Sequence, residues 1–338
     1  MKRTTFWILL LALGVLAAEA CTSAIFAGRA TTDGRPILWK HRDTGAEGNF
    51  IARTAARDGL HAFVALYNYG DSTLAEAWMG MNDAGFAVMN TASYNLAPDT
   101  AKVKDREGVV MKRALEVCRS LKDFENLLDT LPKPLGVQAN FGVLDAGGHG
   151  AYYETDDYSW KRFAVDETPE GYIVRTNYSY SGEADGGYGY IREANARYHI
   201  ERNPVTAELL TETVSRSFYH SLLGRDCSAT TDRYIVDLDF VPRRSSTASV
   251  AIVDGRLMWA NLGYPPAGVV YPVTLEEIPE AVQPDEKWRC PACDSALTLK
   301  AQIFPIRRGN GPQYIDVEAL NRINAERRAR SLRNYSEN

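Results

Sequence analysis

A cysteine at position 21 directly follows a segment with the features of a secretion signal. Lys2 and Arg3 form a positive start, residues 6–18 are an almost unbroken apolar run, and alanines stand one and three residues before Cys21. Cleavage after Ala20 would make this cysteine the first residue of the mature chain. We therefore expect the signal to be removed and the protein to be periplasmic or secreted.

A thiol and a free α-amine on the same residue would form a nucleophile with its own base. A free thiol has a pKa of about 8.5, so it needs a group that removes its proton near neutral pH. The α-amine has an unperturbed pKa of about 8 and could accept that proton directly or through one water molecule. Because an amide nitrogen is not a base, we expect the uncleaved chain to be inactive.

The stretch CTSAIFAGRATTDGRPILWKHRD, which begins at Cys21, resembles the opening of the N-terminal-nucleophile (Ntn) hydrolases. It is similar to choloylglycine hydrolase, penicillin V acylase and the acyl-CoA:6-aminopenicillanic acid acyltransferases, and the dipeptidases of that superfamily start in a similar way. The resemblance covers residues 21–275. It implies an α+β fold, an αββα four-layer sandwich of two mainly antiparallel sheets, and a hydrolase that cleaves linear C–N amide bonds without a cofactor.

Two residues near the end of this stretch match charged positions of the family. Asp43 matches an aspartate whose expected role is to orient the α-amine. The family has an arginine three residues earlier, where this chain has Lys40. Lysine keeps the positive charge near the thiolate but lacks the planar fork of a guanidinium. Arg42 is the alternative cation, and because residues two apart on a strand share a face, the sequence leaves the choice open.

Three further residues are assigned by the same resemblance. Asn90 ends the segment GMNDAGFAVMN and would help to form the oxyanion hole. Asn177, in VRTNYSY, would hold the amine or the oxyanion, and Arg192, in GYIREANARY, would be another active-site arginine. Taken singly, each of the three could equally be a strand-end hydrogen-bonding group or a member of a surface salt bridge.

The order of the predicted elements agrees with that fold. Strands alternate with turns from the mature start to about residue 95, with CTSAIFAG and RPILWK forming a hairpin. Apolar residues recur at helical spacing over 108–131, with Cys118 on their buried face. Strands return, helices follow near 188–201 and 205–222, and another hairpin comes after them. This order predicts two packed sheets covered by helices.

We divide the chain into a signal at 1–20, a catalytic domain at 21–275 and a small C-terminal extension at 276–338. The extension is acidic and contains prolines at its start, and a helix is expected after Asp316, which can cap it. The residues of this helix that we expect to face inward are Val317, Leu320 and Ile323.

The extension also contains a C-x-x-C motif at Cys290 and Cys293. The chain has five cysteines, an odd number, so at least one thiol is expected to be free in an exported protein. Neither a second cysteine pair nor a histidine cluster completes a zinc site, and no thioredoxin-like βαβ pattern surrounds the motif. We therefore expect a structural disulfide between these two cysteines.

Charge and composition narrow the class of partner. The net charge of −5 disfavours nucleic acid, whose phosphates require a basic surface. No second apolar stretch is long enough to span a membrane after signal removal, and the scattered histidines lack metal-ligand spacing, so neither a metal nor a cofactor is expected. We expect a small N-acyl amide as substrate, with pocket walls at 92–100 and 179–190. The sequence leaves open whether the chain forms homo-oligomers.

Other functions remain compatible with the same residues. Acyl transfer, with an amine in place of water as the acceptor, and hydrolysis of dipeptides would use the same nucleophile. A lipid-anchored binding protein is the non-enzyme alternative, because a cysteine that follows a signal can carry a lipid. Glu19 and the absence of a leucine three residues before Cys21 argue against that anchor.

Overall fold

The computed structural model describes residues 21–306 and 313–337, so the expected signal lies outside the described residues. The strands, in chain order, are β1 (Thr22–Phe26), β2 (Ile37–Asp43), β3 (Asn49–Thr54), β4 (Phe63–Asn68), β5 (Met79–Asn82), β6 (Ala87–Ala92), β7 (Ala139–Leu144), β8 (Gly150–Thr155), β9 (Trp160–Ala164), β10 (Tyr172–Arg175), β11 (Tyr219–His220), β12 (Arg225–Asp226), β13 (Tyr234–Val236), β14 (Ser246–Val253), β15 (Leu257–Leu262), β16 (Val270–Val273) and β17 (Tyr314–Asp316). The α-helices are α1 (Glu107–Val117), α2 (Leu121–Thr130), α3 (Tyr190–Ile200), α4 (Pro291–Ile303) and α5 (Val317–Ser336).

Two antiparallel sheets form the body of the molecule. Six strands are ordered β10-β1-β2-β14-β15-β16, and seven strands run in chain order from β3 to β9. One apolar cluster contains Leu38 of the first sheet and Val88 and Val143 of the second, so the sheets pack face to face. Helices α1 and α2 cover the seven-stranded sheet, and α3, which lies where the sequence predicted a helix, covers the other. This arrangement confirms the expected α+β class and αββα layering.

The hairpin of β1 and β2 sets the register on which the site depends. Ser23 pairs with Lys40 across the hairpin, and both side chains point between the two sheets. The Ser23 Oγ atom lies 2.8 Å from the hydroxyl of Tyr152 on β8. Trp39 points the other way, into the apolar cluster under α3. A slip of one residue in this pairing would exchange the two faces of the strand.

The single helix predicted over 108–131 is wrong, because the chain breaks between α1 and α2. The Ser120 side chain accepts the N–H of Asp123, and the Asp123 carboxylate accepts the N–H of Ser120. This capping box satisfies backbone donors at the start of α2 and therefore favours a new helix over continuation of the first. Cys118, at the break, is fully buried as expected.

Only part of the helical stretch predicted near 205–222 is helical, and its geometry is irregular. A π-helical turn at Leu209–Thr213 is followed by a 3₁₀ turn at Val214–Arg216 and then by β11. The Ser215 hydroxyl donates to the carbonyl of Leu210 at 2.8 Å. A side chain that takes a helical carbonyl competes with the regular backbone pattern, which explains why an α-helix does not persist here.

The last part of the described chain adds α4, β17 and α5. Strand β17 pairs with β13, and α5 packs on β16 and α4. As expected, Asp316 caps α5, since its carboxylate accepts the N–H of Ala319 at 3.1 Å. The expected inward-facing residues are buried: Val317, Leu320 and Ile323. The division of the chain at residue 275 stays a prediction.

Cys290 and Cys293 are both thiols in the structure, so the disulfide expected from the sequence is not formed. Cys290 stands at the N-cap of α4, and its Sγ donates to the carbonyl of Asn49 at 3.3 Å. The Sγ of Cys293 accepts the N–H of the same asparagine at 3.4 Å. The two sulfurs thus satisfy backbone polar groups at the start of β3, which ties α4 to the seven-stranded sheet.

Asn82 joins the end of β5 to the end of α1 through four buried hydrogen bonds. Its Nδ2 donates to the carbonyls of Leu115 and Cys118 at 2.9 and 2.8 Å. Its Oδ1 accepts the N–H groups of Ala84 and Phe86 at 3.1 and 3.0 Å, which closes the turn before β6. One amide therefore holds the turn, the strand and the helix together.

We expect Asn82→Ala to lower the free energy of unfolding by about 3 kcal/mol, because buried partners lose their hydrogen bonds without regaining water. Chemical denaturation of purified protein measures this change. Asn126→Ala, at an exposed position on α2, is the matched control and should change the free energy by less than about 0.5 kcal/mol. Equal stabilities of the two variants would contradict the role given to Asn82.

Candidate active site

Cys21 lies immediately before β1 and is 3% exposed. Its Sγ is 3.7 Å from the backbone carbonyl oxygen of Asp43, the last residue of β2. The antiparallel hairpin brings these two residues together, because the start of β1 lies opposite the end of β2. The structure therefore places the expected nucleophile beside the expected aspartate.

The Asp43 carboxylate is fully buried and is held at one oxygen. The hydroxyl of Ser246 donates to Oδ1, whereas Oδ2 has no hydrogen-bond partner among the described residues. Burial raises the pKa of Asp43 to about 7, although the positive charges of Arg243 and Arg192 act in the opposite direction. A buried carboxylate with one open oxygen can accept a hydrogen bond from a cationic donor.

Arg192, on α3, connects two of the other predicted residues. Its Nη1 donates to the carbonyl oxygen of Cys21 at 2.8 Å, and its Nη2 donates to Asn177 Oδ1 at 2.8 Å. Its Nε lies 2.9 Å from a carboxylate oxygen of Asp239, so the charge is paired on the far side. The guanidinium therefore fixes the backbone of the nucleophile and the amide of the asparagine together.

Gly189 makes room for this guanidinium. The residue caps α3 with a φ of 95°, a conformation that favours glycine. A Cβ at this position would lie 2.5 Å from Arg192 Nη2 and 2.7 Å from the Thr176 Cβ. Both the backbone conformation and the close approach thus require glycine directly before the helix that carries the arginine.

Asn177 follows β10 and is fully buried. Its Nδ2 donates to the carbonyl of Ala92 at 3.0 Å, at the end of β6. Its Oδ1 accepts from Arg192, so the orientation of the amide is fixed by partners of opposite polarity. The residue bridges the two sheets at the end where Cys21 lies.

Lys40 and Asn90 form a buried pair between the sheets. The Nζ of Lys40 donates to Asn90 Oδ1 at 2.7 Å and to the carbonyl of Trp78 at 3.2 Å. Because the ammonium takes the oxygen of the amide, the Nδ2 donors of Asn90 point away from it. Lys40 pairs with Ser23, two residues after the nucleophile, so this pair lies on the strand face that alternation assigns to Cys21.

Arg42 points between the sheets as well but has other partners. Its Nη1 donates to Asn68 Oδ1 at 2.9 Å, and its guanidinium lies 4.9 Å from the centre of the Trp78 ring. Of the two cations that the sequence left open, Lys40 hydrogen-bonds to Asn90, another residue predicted for the site. The catalytic role of either cation stays a prediction.

The groups behind Asp43 were not predicted from the sequence. Ser246 lies opposite it on β14, and His41 Nε2 is 2.8 Å from the Ser246 hydroxyl. Asp239 accepts from both Arg192 and Arg243, at 2.9 and 3.0 Å. No local motif marks the serine or the aspartate; only the pairing of β14 with β2 and the reach of the arginines show them.

The two segments expected as pocket walls meet each other. Asn95 Oδ1 accepts the N–H of Ser179 at 2.7 Å, and Asn95 Nδ2 donates to the carbonyl of Glu183 at 3.0 Å. The carboxylate of Glu154 accepts the N–H groups of Tyr180 and Ser181, both at 2.7 Å. A cavity of about 350 Å³ beside these contacts is lined by residues of both segments.

Two other kinds of feature are absent from residues 21–306 and 313–337. In these ranges no group of three or more histidine, cysteine, aspartate or glutamate residues could hold a metal ion. No helix within the same ranges is both long enough and apolar enough to cross a membrane.

Neither a family model nor a curated protein sequence matches the chain. Solved structures do match. The chain is similar to an N-acylethanolamine-hydrolyzing acid amidase (NAAA) ortholog from Caenorhabditis elegans, with 14% identity, a TM-score of 0.44, and coverage of 70% of this chain and 93% of the other. It is similar to a variant of conjugated bile acid hydrolase from Clostridium perfringens, with 10% identity, a TM-score of 0.46, and coverage of 77% and 94%.

Penicillin V acylase from Agrobacterium tumefaciens is a third match, with 13% identity, a TM-score of 0.42, and coverage of 76% of this chain and 87% of the other. Penicillin V acylase and bile acid hydrolase are among the kinds of enzyme that the sequence resemblance named. At these identities and TM-scores the likeness assigns no activity, so the function has to be argued from the residues around Cys21.

Proposed function

We propose that the chain is an exported amidohydrolase whose N-terminal cysteine cleaves a linear C–N amide bond, non-peptide or in a short peptide, through a thioester. The observation that carries the proposal is the position of Cys21 beside Asp43, with Arg192 bound to its carbonyl oxygen. A cysteine at a signal cleavage point, next to a buried carboxylate with one open oxygen, has the groups that a self-activated nucleophile needs.

The reaction begins when the α-amine of Cys21 takes the thiol proton. The thiolate attacks the acyl carbon, and the carbonyl oxygen becomes a tetrahedral oxyanion. Collapse of this intermediate breaks the C–N bond, and the α-ammonium returns the proton to the leaving amine. Water, deprotonated by the same α-amine, then attacks the thioester, and the released thiolate regains a proton as the acid leaves.

The surrounding residues divide into two groups with different tasks. Asp43 would accept a hydrogen bond from the α-ammonium, and Arg192 fixes the backbone carbonyl of residue 21. Asn90, whose amide is oriented by Lys40, would donate a hydrogen bond from Nδ2 to the oxyanion. Asn177, on the other sheet, would help to hold the oxyanion or the α-amine. One such donor is worth about 3 kcal/mol of activation free energy.

Acyl transfer and dipeptide hydrolysis would use the same residues, and no described contact favours either. Adding amines to the reaction and identifying the products separates transfer from hydrolysis. The lipid-anchored alternative is tested by the intact mass of the exported protein, because a diacylglyceryl group on Cys21 would replace the free thiol. A blocked α-amine at residue 21 would contradict the hydrolase proposal, because that amine is the proposed base.

We expect Cys21→Ala to abolish turnover of every amide that the mature wild-type chain cleaves, because no other group supplies the nucleophile. The assay is product release from N-acyl amino acids, conjugated bile acids, phenoxymethylpenicillin and dipeptides. Cys118→Ala is the matched control, since this buried thiol lies at the end of α1, outside the site. Full turnover by Cys21→Ala would show that the mechanism is wrong.

Lys40→Met should lower kcat about 10- to 100-fold with a small change in KM, because Asn90 loses the ammonium that orients its amide. Lys40→Arg should retain part of the activity, since it keeps the charge. Lys112→Met, on α1, is the control for the loss of a paired lysine, whose partner is Glu116. Steady-state kinetics decide the point: a Lys40→Met variant as active as Lys112→Met would remove Lys40 from the site.

A chain with a Gly-Ser extension before Cys21 has no α-amine there, so it tests the buried carboxylate alone. The folded pKa of Asp43 is about 7, whereas an unfolded aspartate has a pKa of about 3.9. Between these values the folded state binds more protons than the unfolded state, so the free energy of unfolding should fall as pH rises from about 4 to about 7.

Asp43→Asn in the same extended chain should lack this fall. Urea unfolding at several pH values gives the free energy of unfolding of both proteins, and the value for the Asp43 protein minus the value for Asp43→Asn isolates the contribution of the carboxylate. In the mature chain the α-ammonium should lower the pKa of Asp43 and make the fall smaller. If this difference in free energy increased from about pH 4 to about pH 7, it would contradict the raised pKa.

A further inference from the structure

The hydroxyl of Ser246 lies at a junction of three groups. It donates to Asp43 Oδ1, lies 2.8 Å from His41 Nε2, and accepts the backbone N–H of Arg243 at 2.9 Å. Ser246 is fully buried and pairs directly with Asp43 across β14 and β2, next to an irregularity in that ladder. The strand pairing thus brings the serine to the carboxylate from the side away from the seven-stranded sheet.

Counting donors and acceptors fixes the direction of each bond. A serine hydroxyl has one hydrogen to donate and two lone pairs that accept. The N–H of Arg243 can only donate, so it occupies one lone pair, and the ionised Asp43 can only accept, so it takes the hydrogen. The second lone pair is left for His41, which must therefore carry its proton on Nε2.

The surroundings of His41 agree with a neutral ring of that tautomer. The Nδ1 atom is buried and has no hydrogen-bond partner among the described residues, as expected for the bare nitrogen. Burial, followed by the positive charges of Arg192 and Arg243, lowers the pKa of His41 to about 3. The ring is therefore a fixed donor and not an exchangeable charge.

We propose that Ser246, held by His41, is a positioning residue that fixes Oδ1 of Asp43 and so presents Oδ2 to the α-amine of residue 21. The inference rests on the proposed function, because only an N-terminal cysteine supplies that amine. Without the serine, the carboxylate keeps no hydrogen bond of its own among the described contacts and can rotate away from the amine.

The charged groups around Asp43 are carried by several different elements, and none of them is removed in a Ser246 variant. His41 is on its own strand, Arg192 is on α3, and Arg243 precedes β14. Further ionisable groups that act on it electrostatically come from the segments before β14 and after β15 and from α4; they include Asp237, Tyr264 and Lys300. A change in the reactivity of Cys21 on removal of the Ser246 hydroxyl therefore results from the lost hydrogen bond and not from a lost charge.

The first test uses the mature chain and does not require a substrate. The rate of alkylation of Cys21 by iodoacetamide is measured against pH, with the Cys21→Ala protein giving the background from other thiols. Ser246→Ala should slow alkylation about 10-fold at pH 7 and move the midpoint about one pH unit upward, because the ammonium that stabilises the thiolate loses its oriented carboxylate.

Conservative variants separate positioning from a structural effect. Ser246→Thr keeps the hydroxyl and should restore the wild-type profile. His41→Gln keeps a donor and should shift the midpoint less than His41→Leu does. Ser215→Ala is the matched control, because this serine is equally buried but bonds Ser249 and the Leu210 carbonyl, and its profile should be unchanged.

A wild-type profile for Ser246→Ala, or an equal shift in Ser215→Ala, would overturn the inference. Where a substrate is cleaved, Ser246→Ala should lower kcat about 10-fold with KM nearly unchanged, and a loss confined to KM would also count against it. Failure of the proposed function would give a different result, namely full turnover by Cys21→Ala. The alkylation profile needs no substrate and therefore does not depend on that turnover measurement.

Discussion

The hydrogen-bonded ladder between β1 and β2 is the constraint on which the rest of the structure depends. It places Cys21 opposite the end of β2 and gives the two strands faces of different character. One face, with Lys40, lies between the sheets and meets Asn90. The other face carries His41 and Asp43, which both contact the hydroxyl of Ser246 on β14. The candidate nucleophile therefore stands where a packed interior adjoins a buried network of charges.

That network explains how Asp43 and Arg192 tolerate burial. Arg192 and Arg243 share the carboxylate of Asp239, and their positive charges offset part of the desolvation of Asp43. Removing Asp239 would leave the buried Arg192 without its carboxylate partner, which costs more than the intact pair contributes. The network thus adds little to the free energy of unfolding, but it holds the carboxylate, the arginine and the backbone of residue 21 in fixed positions.

Most of the layered fold could be predicted because its signals are local. Alternating apolar residues and glycine turns predicted most strands of both sheets, but not β3 (Asn49–Thr54) or β16 (Val270–Val273). The break between α1 and α2 also has a local signal, the capping pair of Ser120 and Asp123. The role of Ser246 could not be predicted, because it is 203 residues from Asp43 and meets it only through the pairing of β14 with β2.

The attachment of the 179–190 segment has a consequence for recognition. Glu154 holds its amides and Asn95 holds its amide and carbonyl groups, while Arg175 pairs with Glu154 at 3.1 Å beneath it. A wall whose main chain is anchored at several points before any ligand arrives loses little conformational entropy when one binds. A ligand that bound in the cavity beside it would therefore be selected by its fit to an existing shape and not by closure of the segment around it.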